Sequence, residues 1–145
     1  MKLTTRSRYG TRLMLDMAQH GADGPVRIKD IAERQDVSVK YLEKLVRELK
    51  LAGLVISRRG PRGGHALAKP VETIHVGDIV RVLEGEVDLV DCRQDDGRPC
   101  PRQKTCPTRR VWLAAAKAML DHLDTVSLAD LLVPVDPASA AFAAS

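Results

Sequence analysis

Three cysteines are the residues of this 145-residue chain best equipped for metal or redox chemistry, and all lie in DCRQDDGRPCPRQKTCPTRR, as Cys92, Cys100 and Cys106. Their Cys-x7-Cys-x5-Cys spacing is wider than the roughly two- to four-residue gaps of structural zinc sites. Wide spacing on a Gly/Pro-containing loop suits a larger object, such as an iron–sulfur cluster whose irons are held by thiolates. Arg93, Arg98, Arg102, Lys104, Arg109 and Arg110 surround the cysteines, and such positive charge lowers thiol pKa and offsets the charge of a cluster. Spacing alone leaves a second reading open, three free thiols with redox activity. A nucleophilic role for Cys100 or Cys106 lacks a His or Asn nearby in sequence, and no phosphate loop, HExxH or GxSxG pattern occurs, so the chain is not expected to be an enzyme.

A second group of reactive side chains is basic. Residues 1–70 carry 15 Lys and Arg against 7 Asp and Glu, net +8, whereas residues 71–145 carry 8 against 12, net −4. Clustered cations create a field to which phosphates respond. Within this half, Ser38, Lys40, Tyr41 and Lys44 open an amphipathic stretch, and Arg58, Arg59 and Arg62 crowd the tip RRGPR. Arg suits both phosphate forks and a narrow minor groove. Aromatics are only Tyr9, Tyr41, Trp112 and Phe142, too few for stacking on single-stranded bases, so any nucleic acid bound is expected to be duplex.

These side chains need elements to carry them. Thr4 or Thr5 can cap a first helix on which Tyr9, Leu13, Met17 and His20 share a face, and GADGP ends it. Ile28, Ile31 and Ala32 stripe a short helix; Asp36, Val37 and Ser38 turn the chain; Tyr41, Leu42, Leu45, Val46 and Leu49 stripe a second helix, with Ser38 as N-cap and Gly53 at its end. Two short helices across a tight turn form a helix-turn-helix, whose second helix presents its N-terminal side chains to the major groove. Residues 54–57 and 65–68 read as extended strands about a Gly/Pro-rich tip at 60–64, a β-hairpin placed as a wing. A further helix spans residues 73–84, the cysteines follow on a polar loop, and a long helix runs over residues 108–125. Trp112, Ala115, Ala116, Met119, Leu120 and Leu123 give that helix a broad apolar face. SLADLLV adds a short helix, and residues 134–145 form a flexible tail. The fold class is therefore mostly α: a winged helix-turn-helix with a β-hairpin wing and a long C-terminal helix for dimerisation.

Taken in order, MKLTTRSRYGTRLMLDMA, IKDIAERQDVSVKYLEKLVRELKLAGLV, SRRGPRGGHALAKP, IHVGDIVRVLEG, the three cysteines followed by Trp112, and SLADLL resemble the IscR and NsrR type of bacterial winged-helix transcription regulators, the Rrf-two family. The resemblance runs from Met1 to about Val133. It implies a dimer bound to DNA and, as in many members, an iron–sulfur cluster on the three loop cysteines, of the [2Fe–2S] type. The chain departs from the family at the fourth ligand: where some members have a His three residues beyond the last cysteine it has Arg109, and where others have an acidic residue early in the first helix it has Arg8. The fourth ligand is left open among water, a small thiol, Asp91, Asp95, Asp96 or a residue of the other subunit. His65 stands in the wing, where the family usually has an aromatic residue, and is expected to make contacts there.

The resulting expectation divides the chain into a DNA-binding region at 1–70, a cysteine-loop sensor and dimerisation region at 71–133, and a tail at 134–145. Function is expected to be DNA-binding transcriptional regulation of a two-fold-related operator by a homodimer. Iron–sulfur status, redox state or nitric oxide would be sensed through a cluster on Cys92, Cys100 and Cys106. The alternative is a cluster-free winged-helix regulator controlled by binding a metabolic enzyme or by thiol oxidation. With no run of roughly 18 apolar residues and no apolar signal core in MKLTTRSRYG, no membrane association is expected and the location expected is the cytoplasm.

Overall fold

Helix α1 (Thr5–His20) begins at Thr4, whose hydroxyl accepts the Arg6 N–H at 3.1 Å, and ends at Gly21. The computed structural model describes residues 3–85, 87–90, 92–93 and 96–134. Leu13, Met14 and Met17 of α1 are buried in the core. Glycine at position 10 lets helix α4 (Val76–Glu84) cross closely there: a Cβ at this position would stand 2.0 Å from Leu83 Cδ1.

Helices α2 (Ile28–Gln35) and α3 (Val39–Leu51) are joined by the expected tight turn. Asp36 adopts a left-handed conformation, φ 52°, which Asp tolerates better than most residues, and the Val37 N–H returns to the Ala32 carbonyl at 3.0 Å. Ser38 caps α3, its Oγ accepting the Tyr41 N–H at 3.2 Å. Leu42, Leu45, Val46 and Leu49 are buried, as the periodicity predicts. Beyond the C-terminal turn Gly53 takes φ 73°, and the Leu54 N–H closes on the Leu49 carbonyl at 2.9 Å.

The wing consists of β1 (Val55–Arg58) and β2 (Gly64–Leu67), antiparallel with Val55 opposite Leu67 and Arg58 opposite Gly64. Both strands sit one residue away from the sequence reading. Val26 adds a rung that the sequence reading lacks: its N–H and carbonyl each bond to His65 at 2.8 Å.

After a 3-10 turn at Val71–Thr73, helix α4 (Val76–Glu84) starts three residues later than expected. The delay has a backbone cause. Ile74 is extended, its carbonyl accepts the Leu128 N–H at 2.9 Å, and the Val76 N–H donates to the Val126 carbonyl at 2.9 Å. The segment that could have extended the helix is thus paired with the linker between α5 (Pro107–Leu123) and α6 (Leu128–Leu132). Pro107 stands in the first turn of α5, where its missing N–H costs nothing. Arg81 grips Asp124 with two bonds of 2.6 Å, fixing the end of α5 to α4.

One hydrophobic cluster takes in Leu13, Met17, Ile31, Leu45, Ile74, Leu83 and Leu128, so residues on both sides of position 70 share a core. The architecture is mostly helical with a hairpin wing, in the winged helix-turn-helix order. Beyond Pro134 the expected tail lies outside the described residues.

Candidate nucleic-acid interface and cysteine loop

The expected reading residues of α3 separate into two kinds. Lys40 and Lys44 are exposed. Ser38 is exposed too, but its hydroxyl already serves as the cap. Tyr41 is half-buried: its ring meets Tyr9 edge-on at 6.0 Å, and its hydroxyl lies 3.2 Å from Thr5 Oγ1. Tyr41 therefore ties α3 to α1 as well as standing near the helix start. Arg47, absent from the sequence reading, is exposed and continues the Lys40–Lys44 series at helical spacing. That spacing was the signal that could have found it.

Arg58, Arg59 and Arg62 are exposed on the wing. Their loop is braced from outside the hairpin, because Arg27 Nη2 donates to the Pro61 carbonyl at 2.8 Å. An open groove of about 1010 Å³ separates the wing from the start of α2; Arg27, Arg58, Arg59 and Arg62 line it, with Asp23 and Asp30 among the lining residues. Arg34, also on the groove, is committed inward: it holds the buried Asp16 carboxylate at 2.6 and 3.0 Å, and Gln35 adds a third bond at 2.9 Å. Burial alone would raise the Asp16 pKa, but these bonds and the charges of Arg34 and His20 outweigh it and hold the carboxyl below its usual range.

A second groove, about 430 Å³, lies between α3 and the strands of the wing, lined by Arg47 and Lys50 on one side and Ser57 and His65 on the other. His65 makes the wing contact expected of it, with Nδ1 2.9 Å from Ser57 Oγ. Burial pushes its pKa below the usual histidine value, with help from Lys50 and against Glu43.

The cysteine loop is closed on itself by backbone bonds. The Cys100 N–H donates to the Cys92 carbonyl at 2.9 Å, Arg93 pairs with Pro99, and the Gln103 N–H donates to the Cys100 carbonyl at 2.9 Å. Cys106 is the N-cap residue of α5. Its Sγ lies 3.1 Å from Thr108 Oγ1. That bond, then the Arg109 backbone N–H, lowers its thiol pKa, with Arg102 adding to the effect; a helix N-terminus favours thiolate in the same sense. All three cysteines are half-buried and free of disulfides. Cys92 lines a cavity of about 80 Å³ with Arg93, Gln103, Arg109 and Leu113.

The donor chemistry suits an iron–sulfur group: three thiols, each on a hydrogen-bonded residue, in basic surroundings. Among the described residues no three His, Cys, Asp or Glu side chains converge as a metal site, so a cluster on these cysteines would need the loop to bring the three thiols together. Of the acidic candidates for a fourth ligand, Asp96 is paired with Arg98 at 2.6 Å, and Asp91 and Asp95 lie outside the described residues. Arg8 is stacked on the Tyr9 ring at 4.8 Å.

A capped reading helix, a basic wing and a shared core define a winged-helix DNA-binding protein. Residues 3–134 match the Rrf2 family model, described as an iron-dependent transcriptional regulator. The chain belongs to the Rrf2 family of transcriptional regulators, whose members act by regulation and not as enzymes. It is 56% identical over 133 residues to Protein rrf2 of Nitratidesulfovibrio vulgaris, covering 91% of this chain and 87% of that one. With the regulator IscR of Erwinia tasmaniensis it shares 39% identity over 132 residues, 91% of this chain and 79% of the other. Among solved structures, T. potens IscR superposes with a TM-score of 0.74 at 42% identity, covering 91% of this chain and 86% of that chain. CymR, the global cysteine regulator of B. subtilis, gives 0.74 at 37% identity, covering 94% and 99%. Among the described residues, no helix is long and apolar enough to cross a membrane.

Proposed function

We propose that this protein is a homodimeric regulator in the cytoplasm that binds a two-fold-related operator and adjusts its affinity through an iron–sulfur cluster held by Cys92, Cys100 and Cys106. The observation that carries the reading is the position of Cys106 as N-cap of α5, a helix that leaves Val111, Trp112 and Leu113 exposed at 61%, 45% and 39%. Apolar side chains so exposed around one turn need covering, and a second α5 related by two-fold symmetry supplies a complementary surface. Any change in the loop then acts directly on the start of the helix that joins the two subunits.

In this reading residues 1–70 contact DNA and residues 71–133 sense and dimerise. Lys40 and Lys44 reach base edges, Ser38 and Tyr41 set the start of α3 against the groove, and Arg58, Arg59 and Arg62 contact phosphates or the minor groove. A bound cluster supplies a redox- and nitric oxide-sensitive charge at the loop. The protein's own part is to offer three thiolates, to keep them in a basic environment, and to bind loop to helix through Cys106. DNA affinity follows because a change in α5 pairing resets the separation of the two reading helices, a shift between competent and incompetent populations.

A second reading is a cluster-free regulator governed by thiol oxidation or by binding a metabolic enzyme, and the lowered Cys106 thiol favours its oxidation arm. The two separate in one experiment. Anaerobic, iron- and sulfide-reconstituted protein is expected to absorb in the visible, and single Ser replacements of Cys92, Cys100 or Cys106 are expected to remove most of that absorption while leaving the dimer intact and changing duplex affinity. Parent protein that retains no iron overturns the cluster reading in favour of the thiol one, and so does full retention of iron and colour by all three variants.

A further inference from the structure

Glu84 is the last residue of α4, eight positions before Cys92, and its side chain turns away from the cysteine loop to the start of α1. One carboxylate oxygen, Oε1, accepts four bonds there: from the Thr4 N–H at 3.0 Å, the Thr4 hydroxyl at 2.7 Å, the Ser7 N–H at 3.3 Å and the Ser7 hydroxyl at 2.5 Å. Ser7 is 3% exposed. A carboxylate against the first N–H groups of a helix is favoured by their unsatisfied donors and by the helix dipole. Partial burial would raise the Glu84 pKa, but the Ser7 and Thr4 bonds prevail and hold it below the usual glutamate value.

The same turn of α1 is fastened to the reading helix. Thr5 Oγ1 meets the Tyr41 hydroxyl at 3.2 Å, and Arg6 pairs with Glu48 of α3. Four consecutive residues, 4–7, thus face two ways: Thr4 and Ser7 to the end of α4, Thr5 and Arg6 to α3. No other polar contact described for α1 joins the segment entering the cysteine loop to the reading helix within one turn. The Asp16 bonds go to α2, and Gly10 against Leu83 is apolar packing.

We propose that Glu84 is a positioning residue that carries the state of the cysteine loop to the reading helix through the first turn of α1. A displacement of the chain after Gly85 pulls on Glu84, Glu84 moves the N-terminus of α1, and the Thr5–Tyr41 and Arg6–Glu48 contacts shift the start of α3. The link is a continuous set of hydrogen bonds and one ion pair from Glu84 to α3, the kind of physical connection that coupling requires. The inference rests on the reading of the cysteine loop as the sensor.

The test uses the full chain and a duplex recovered from a random pool by selection with the parent protein. The loop is perturbed by capping its thiols with N-ethylmaleimide, which requires no cluster. In the parent, capping is expected to change duplex affinity within the usual span of allosteric coupling, roughly 5- to 150-fold, and in Glu84→Ala the ratio of capped to uncapped affinity is expected to fall below about twofold. Amide exchange supplies the readout that a merely structural residue would not move: capping alters residues 4–10 and 38–44 in the parent, and only the loop and α5 in Glu84→Ala. Glu84→Gln, which keeps a carbonyl acceptor, restores part of the ratio. Ser7→Ala, milder for the fold, lowers the ratio in the same direction. A Glu84→Ala protein, or a Ser7→Ala protein if the former does not fold, that keeps the parent's ratio and exchange pattern overturns the inference while the sensor reading stands. Capping that leaves the parent's affinity unchanged overturns the sensor reading itself, and the inference with it.

Discussion

At the scale of single residues, Asp16 is a buried carboxylate, 1% exposed and held by Arg34 and Gln35. Its folded pKa lies below the ordinary value of 3.8. The group therefore contributes stability that is complete above that value and is lost as the pH falls through it toward the folded pKa. Asp16→Asn removes the charge that Arg34 faces. The variant is expected to be less stable at pH 7 by about 1 to 3 kcal/mol and to lose less of its remaining stability on acidification. Urea unfolding at pH 7 and pH 3 checks this, and parallel losses in parent and variant would contradict it. Arg34, on the wing-side groove, owes its orientation to this carboxylate, so one buried residue of α1 also shapes the basic surface outside.

Among the elements, the wing depends on a residue far away in sequence. Val26 pairs with His65, and a Cβ on Gly64 would meet the Val26 carbonyl oxygen at 2.5 Å. Gly64→Ala must push the hairpin off this rung, at a cost of about 1 to 3 kcal/mol. Its expected effect on DNA is a loss of affinity for selected and random duplexes alike, since Arg58, Arg59 and Arg62 move together. Gel-shift titrations on both duplexes measure it, and unchanged binding to both would show that the wing needs no such seat. These elements also mark where sequence was readable. The α2–α3 pair was legible because its apolar stripe, its polar turn and the Ser38 cap are all local signals. The hairpin was legible from its Gly/Pro tip, but the Val26 rung was not, because a one-residue strand exists only through a tertiary partner. Tyr41 read both as part of the apolar stripe and as a residue at the groove, and it is half-buried, with Tyr9 of another helix edge-on to it. The start of α4 was misplaced for a similar reason: Ile74 and Val76 give their backbone groups to residues about fifty positions away. The three cysteines were plain in the sequence, whereas the Cys106 cap depends on where α5 begins, and no spacing states how the thiols gather.

For the molecule as a whole, α1, α4 and α6 share the core with the reading helix while α5 buries only Ala116 among its described residues. This imbalance is what a subunit interface would correct. Val111→Glu places a charge among these exposed apolar side chains, and it is expected to convert the proposed dimer to monomers at micromolar concentration while the protomer stays folded, because Val111 is 61% exposed. Sedimentation with circular dichroism decides the matter; an unchanged dimer would assign the interface to another face. Trp112, also exposed on α5, is the sole indole of the chain and stands six residues beyond Cys106. Its ultraviolet emission therefore comes from one address, close to the cysteine loop and to the proposed subunit contact. Quenching by a bound chromophore, a blue shift when two chains meet and a red shift when they part can each be followed without attaching a dye, so the protein carries its own optical gauge for the proposed sensing and pairing.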